Sequence, residues 1–115
     1  MSGTNTKIKQ GLKEYLLLMA TLPQASASER EALLEAKKQG DPQALRELSE
    51  SFLPDVVRLV SPRRGEGRSF QELISLGNCA VIECLRSYRG SAAALDARIC
   101  QAVHDALDAA LKMNS

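Results

Sequence analysis

Aromatic residues are scarce in this chain of 115 residues, at 3%, and tryptophan is absent. A core without large rings must be built from Leu, Ile, Val and Ala, a palette that suits helix-on-helix packing better than strands. Histidine is nearly missing as well, with His104 the single example. A Ser–His or Cys–His nucleophile pair would have to use it. It lies in "AVHDAL", beside the polar side of an amphipathic helix, and reads as a solvated helix residue. Cys79, Cys84 and Cys100 are odd in number and show neither CxxC nor Cys/His ligand spacing. They predict no zinc set and read as reduced, buried thiols of a cytoplasmic protein. No Gly-rich phosphate loop is present, because "GEGRS" at Gly65 to Ser69 lacks the preceding strand and the lysine such loops require. The carboxylates are dispersed, many at helix starts where the dipole favours them. These absences argue against an enzyme and imply neither metal nor cofactor.

Charge of one sign is also missing. The formal net charge is +1, too little to steer nucleic acid or an anionic membrane, so DNA binding would need a local cluster. Nothing approaches the ~18 consecutive apolar residues of a membrane span. The apolar run "YLLLMATL" follows Lys7, Lys9 and Lys13 and precedes "ASA" at residues 25–27, which imitates a secretory signal. That run is about as short as a signal core can be. Glu14 adjoins it, and Leu12, Tyr15, Leu16 and Met19 already form a helical stripe. Cytoplasmic residence is the expectation.

What is there is a chain of helix start and stop signals. They predict one all-α domain over residues 1–115, a compact bundle of four to five helices. Residues 1–25 hold an N-terminal helix (Thr6 to Leu22, ending before Pro23) and a linker, and residues 26–112 hold the core bundle. In "SASERE", Ser26 with Glu29 and Ser28 with Glu31 both have capping-box spacing. The helix so opened carries Ala32, Leu33 and Ala36 and stops at "QGDP". There Gly40 is the left-handed terminator, Asp41 the next N-cap and Pro42 the first helical residue. Leu45, Leu48, Phe52, Val56 and Leu59 continue at helical spacing, with a kink or break expected at Pro54. "SPRRGEGRS" is the most loop-like stretch. Ser69 then caps a helix with Glu72 as its partner, Gly90 is predicted to end it, and Ser91 caps a last helix to about Lys112. The last helix has the stripe Leu95, Ile99, Ala102, Val103, Ala106 and Ala110.

The helix "SFQELISLGNCAVIECLRSYRG" has two sides. At 100° per residue, Leu73, Ile74, Gly77, Ala80, Val81, Cys84, Leu85 and Tyr88 share one, and Gln71, Glu72, Ser75, Asn78, Cys79, Ile82, Glu83 and Arg86 the other. Gly77 therefore predicts close approach of another helix. Asn78 faces outward, and Ile82 and Cys79 interrupt the polar side with apolar surface. That side reads either as a solvated face with a stray isoleucine or as a partner-binding face.

"ALLEAKKQGDPQALRELSESFLPDVVRLV" followed by "GRSFQELISLGNCAVIECLRSYRG" resembles the second conserved region of housekeeping-class bacterial RNA polymerase sigma factors. In that family a helix reading roughly "(F)xDLIQEGNxGLxxAxxxF" docks on the clamp helices of the polymerase largest subunit. Phe70, Glu72, Leu73, Ile74, Gly77, Asn78, Ile82 and Tyr88 fall on matching positions. Upstream, "LKEYLLLMATLPQASASERE" looks like the preceding sigma region, "YLREIGxxPLLTxEEE". Downstream, Ile99, Gln101, Ala102 and Val103 follow the "WWIRQAI" helix that reads and melts the promoter −10 element. The resemblance implies core RNA polymerase as partner, bound through Glu72, Ser75, Leu76, Asn78, Cys79, Ile82, Glu83 and Arg86.

There are departures. The family's Gln and Glu on the docking face are replaced by Ser75 and Leu76. Positions of base-capturing aromatics fall near Ala94, Ala97 and Arg98, and stacking of about 1–3 kcal/mol per base is lost there. Two basic positions become Cys100 and Asp105, while Gln101 keeps an amide able to read a base edge. The chain ends at Ser115, where a full sigma factor would continue into a −35-binding domain. The expectation is a transcription protein that binds polymerase but is weakened in autonomous promoter melting, as one half of a split sigma factor would be. A second protein would then supply the −35-binding domain. The alternatives are a polymerase-binding decoy, a DNA-binding regulator using Arg63, Arg64, Arg68, Arg89, Arg98 and Gln101 on promoter DNA, and a homodimer that reuses the fold.

Overall fold

The computed structural model describes residues 26–112. Five α-helices and one 3-10 turn form an all-α bundle there, with no strand among the described residues. The predicted N-terminal helix at residues 6–22 lies outside them. Helix α1 (Ala27–Lys38) opens on Ser26, whose hydroxyl oxygen accepts the Glu29 backbone N–H at 3.1 Å. Of the two capping frames in "SASERE", the first is therefore used. Gly40, at φ 95°, closes α1, with Gly40 N–H donating to Lys37 O and Asp41 N–H to Ala36 O. This paired bonding is the Schellman arrangement. Asp41 then accepts the Gln43 N–H at 3.0 Å and starts α2 (Pro42–Ser51).

The break near Pro54 falls at Phe52, two residues earlier. Proline is tolerated in a first helical turn but not inside one, so the chain ends α2 at Ser51 and restarts as α3 (Leu53–Val60) with Pro54 in its first turn. Phe52 itself is 1% exposed and plugs the core at the joint. A 3-10 turn, Ser61–Arg63, leads into a loop with left-handed Gly65 and Gly67. Ser69 then caps α4 (Phe70–Ser87), accepting the Glu72 N–H at 3.1 Å.

Gly90 does not end α4. The helix stops at Ser87, and Tyr88 is already extended. The freed carbonyls are taken by a side chain from another helix: the Lys37 ammonium donates to Leu85 O and Tyr88 O. Gly90 instead makes room for the Tyr88 ring, whose hydroxyl would stand 2.6 Å from a Cβ at that position and donates to Ser91 O. Replacing Lys37 by alanine is expected to cost about 1–2 kcal/mol, since bonds made by a charged donor are worth roughly 1.5–3 kcal/mol and water replaces part of them. A denaturant midpoint measured against the parent checks this.

Helix α5 (Ala92–Lys112) lies along α4 and presents Leu95, Ile99, Val103, Leu107 and Ala110 inward. Leu107, fully buried, belongs to this stripe although the sequence reading passed over it. Ala102 and Ala106 are only half-buried, at its edge. Among the described residues, every buried side chain is apolar. Val56 and Val60 of α3 meet α4 at Gly77, where an added Cβ would lie 2.6 Å from Val56 Cγ1. The predicted close approach is present at this one residue.

Candidate protein-interaction face

The side of α4 turned away from the core carries Gln71, Glu72, Ser75, Cys79, Glu83 and Arg86, all exposed, and Asn78 and Ile82, both half-buried. The wheel separated the two sides as observed, and Leu76, which it put on neither side, belongs to the docking set only through the resemblance. Leu76 is half-buried and packs against the core cluster, so its methyl groups serve the bundle as well as the edge of this face. Glu72 is partly committed, since it receives the Ser69 hydroxyl and an ion pair from Arg68 at 3.3 Å.

Asn78 and Ile82 do not stand alone on a flat surface. Together with Ser49, Glu50 and Leu53 they line an open groove of about 170 Å³ between α4 and the α2–α3 joint. The Phe52 break turns the chain here, leaving Leu53 half-buried at the wall of the groove. The linear pattern contains no signal for Ser49, Glu50 or Leu53 as site residues, because only the packing of α2 and α3 against α4 brings them beside Ile82. An amide, a carboxylate and two aliphatic side chains around a shallow depression can receive a protruding side chain of another protein. They hold no nucleophile–base pair.

The basic candidates are not brought into one place. Arg63 is held by Glu66 at 3.1 Å and by Asp108 at 2.8 Å, and these two bonds raise its pKa further above the usual guanidinium value. Arg68 is held by Glu72, and the Arg64 guanidinium lies 5.6 Å from the Phe70 ring centroid. Gln101 donates its amide to Asp105 Oδ1 at 2.8 Å. Arg98 is exposed on α5, whereas Arg89 sits between α4 and α5. The loop arginines thus fasten the loop to α4 and α5.

Two further expectations need correction. Cys79 is exposed and only Cys84 and Cys100 are partly covered, so the thiols are free but not buried. The wheel itself puts Cys79 on the outer side. His104 is half-buried on α5, less solvated than its polar neighbours suggest. Among the described residues, no three His, Cys, Asp or Glu side chains converge on a point able to hold a metal ion, and no helix is long and apolar enough to cross a membrane. Neither a protein-family model nor a curated protein sequence matches this chain.

Proposed function

We propose that this all-helical domain is a sigma-like transcription module that docks on core RNA polymerase through the outer face of α4. The observation that carries the reading is the division of labour between Gly77 and Asn78. Gly77 is pinned against Val56, which fixes the rotation of α4, and with that rotation Asn78 and Ile82 point into an open groove. The resemblance of "LISLGN" to the polymerase-docking helix supplies the partner: the clamp helices of the largest subunit. Asn78 offers a hydrogen-bonding amide, and Ile82 with Leu53 offers the apolar contact. With Ala94 and Ala97 exposed where aromatics would capture unstacked bases, the module binds polymerase while a second protein reads the promoter. The reading of a DNA-binding regulator built on the Arg63–Arg68 loop is less well supported, because two of its three arginines are already held by carboxylates.

Immobilised protein is expected to retain the polymerase largest subunit at low salt. Asn78→Ala and Ile82→Glu are each expected to weaken retention at least tenfold, equivalent to about 1.4 kcal/mol, with helicity unchanged by circular dichroism. Failure of the unmodified protein to retain the subunit at low salt would sink the reading.

A further inference from the structure

The groove beside Asn78 and Ile82 is poor in hydrogen-bond donors. Of the residues that line it, Ser49, Glu50, Leu53, Asn78 and Ile82, only Glu50 is charged. Its carboxylate is exposed and, among the described residues, meets neither a cation nor a hydrogen-bond donor, although Arg46 stands one turn earlier on the same helix. The Ser49 hydroxyl spends its proton on the Leu45 carbonyl at 2.7 Å, so toward the groove it can only accept. Asn78 alone brings a donor, together with an amide oxygen, and its amide has no partner among the described residues. Acceptors therefore outnumber donors in the groove. Leu53 and Ile82, both half-buried, add an aliphatic wall. An anionic side chain would meet the repulsion of Glu50 and find only the Asn78 amide to donate to it. A purely apolar one would draw water away from Glu50 and Asn78 and return no hydrogen bond, which is costly.

We propose that this groove receives an arginine side chain of the docked partner. The aliphatic stem of that arginine lies on Leu53 and Ile82, in the way long cationic side chains cover apolar surface. Its guanidinium donates to the Glu50 carboxylate and, through its remaining N–H groups, to the Asn78 amide oxygen or the Ser49 hydroxyl. A planar fork of donors suits acceptors carried on two different helices, α2 and α4, better than the compact, strongly hydrated ammonium of lysine. This contact rests on the reading of α4 as a docking face, to which it adds the type of residue recognised and a carboxylate from a second helix.

In a first experiment, N-acetyl-arginine amide is titrated into the isotope-labelled full chain and the amide resonances are followed by NMR. The comparators are the same blocked forms of citrulline, a neutral isostere, and of lysine. Arginine is expected to shift the Asn78 side-chain amide and the backbone amides of Glu50, Leu53 and Ile82. With citrulline, with lysine and in Glu50→Gln those shifts are expected to shrink about threefold or more. In a second experiment, Glu50→Gln is expected to weaken retention of the polymerase largest subunit about threefold at low salt and Glu50→Arg about tenfold or more, the loss narrowing as salt rises. Glu50 is exposed, so neither change threatens the fold. Glu31→Gln removes the same charge beside a separate depression between α1 and the start of α5, and is expected to leave both readouts unchanged. The proposal is overturned if citrulline or lysine matches arginine, if the arginine shifts survive Glu50→Gln, or if Glu50→Gln retains polymerase as well as the parent does. Retention lost in Ile82→Glu but kept in Glu50→Gln overturns the arginine contact and leaves the α4 face standing. A groove that selects arginine in a parent that retains no polymerase supports the contact and overturns only the identity of the partner.

Discussion

Gly77→Leu is expected to destabilise the bundle by about 3 kcal/mol or more, against a typical total of roughly 5–15 kcal/mol for a small domain. Judged by helix propensity alone the change should help, because glycine in a helix interior is about 1 kcal/mol worse than alanine. Packing reverses the sign. Carbon atoms are best separated by about 3.5–4.0 Å, and the first added carbon would already lie 2.6 Å from Val56 Cγ1. Val56 is 0% exposed and, being β-branched, has little rotameric freedom with which to retreat. Val60 and Val103 stand 3.6 Å and 3.7 Å from the same point, so sideways escape is closed too. Gly77→Ala is expected to fall between, with overpacking outweighing propensity by about 1 kcal/mol. Thermal or denaturant unfolding of Gly77→Ala, Val56→Ala and the double variant decides whether this account is right. Removing both partners of the clash should recover at least about 0.5–1 kcal/mol relative to additivity. Purely additive effects would show that Gly77 is there for some other reason.

The second large effect is expected at Arg30, where methionine should cost about 2–4 kcal/mol. Arg30 leaves α1 with a side chain only 13% exposed, and its guanidinium reaches three other elements. It donates to the Ser51 carbonyl at the end of α2, forms an ion pair with Asp55 of α3 at 3.1 Å, and forms another with Asp96 of α5 at 3.1 Å. It also lies 4.0 Å from the centroid of the Phe52 ring. These contacts are not equal. Asp96 is 72% exposed, and ion pairs of that kind are worth roughly 0–1 kcal/mol. The half-buried Asp55 and Ser51 contacts, at roughly 1.5–3 kcal/mol for bonds to a charged group, and the cation–π contact, at about 0.5–2 kcal/mol, dominate. Asp55 also pairs with Arg58, which limits the loss. Arg30→Lys should restore less than half, because an ammonium cannot span the fork or lie flat on the ring. Full rescue by lysine would mean that charge alone matters here. Chemical denaturation in low and high salt separates the cases, since only the Asp96 contact is strongly screened.

Local chemistry was legible wherever a signal and its effect lie within one turn of chain. Ser26, Asp41 with Pro42, and Ser69 open helices where they stand in the sequence, and Gly40 closes one. The inward rotation of Gly77 followed from the 3.6-residue period. What escaped was settled by residues far apart in sequence. Gly90 looked like a helix terminator, but α4 ends three residues earlier, where the Lys37 ammonium, about fifty positions upstream, donates to the carbonyls of Leu85 and Tyr88. Arg63 looked like a free cation until Asp108, 45 residues away, came beside it. The same holds for the candidate site. Its α4 half was visible on a helical wheel, whereas Ser49, Glu50 and Leu53 enter only through the turn at Phe52.

The Lys37 bonds have a consequence for how the bundle breathes. A helix end capped by its own glycine frays by itself, but the last turn of α4 is held by a side chain rooted in α1. Opening α1 must therefore release the α4 terminus, and the two should exchange their amide protons as one cooperative unit, or foldon. The amides of the last α4 turn would take their protection from the docking of α1. In Lys37→Ala they should exchange faster than those around Gly77, which keep the protection of the core.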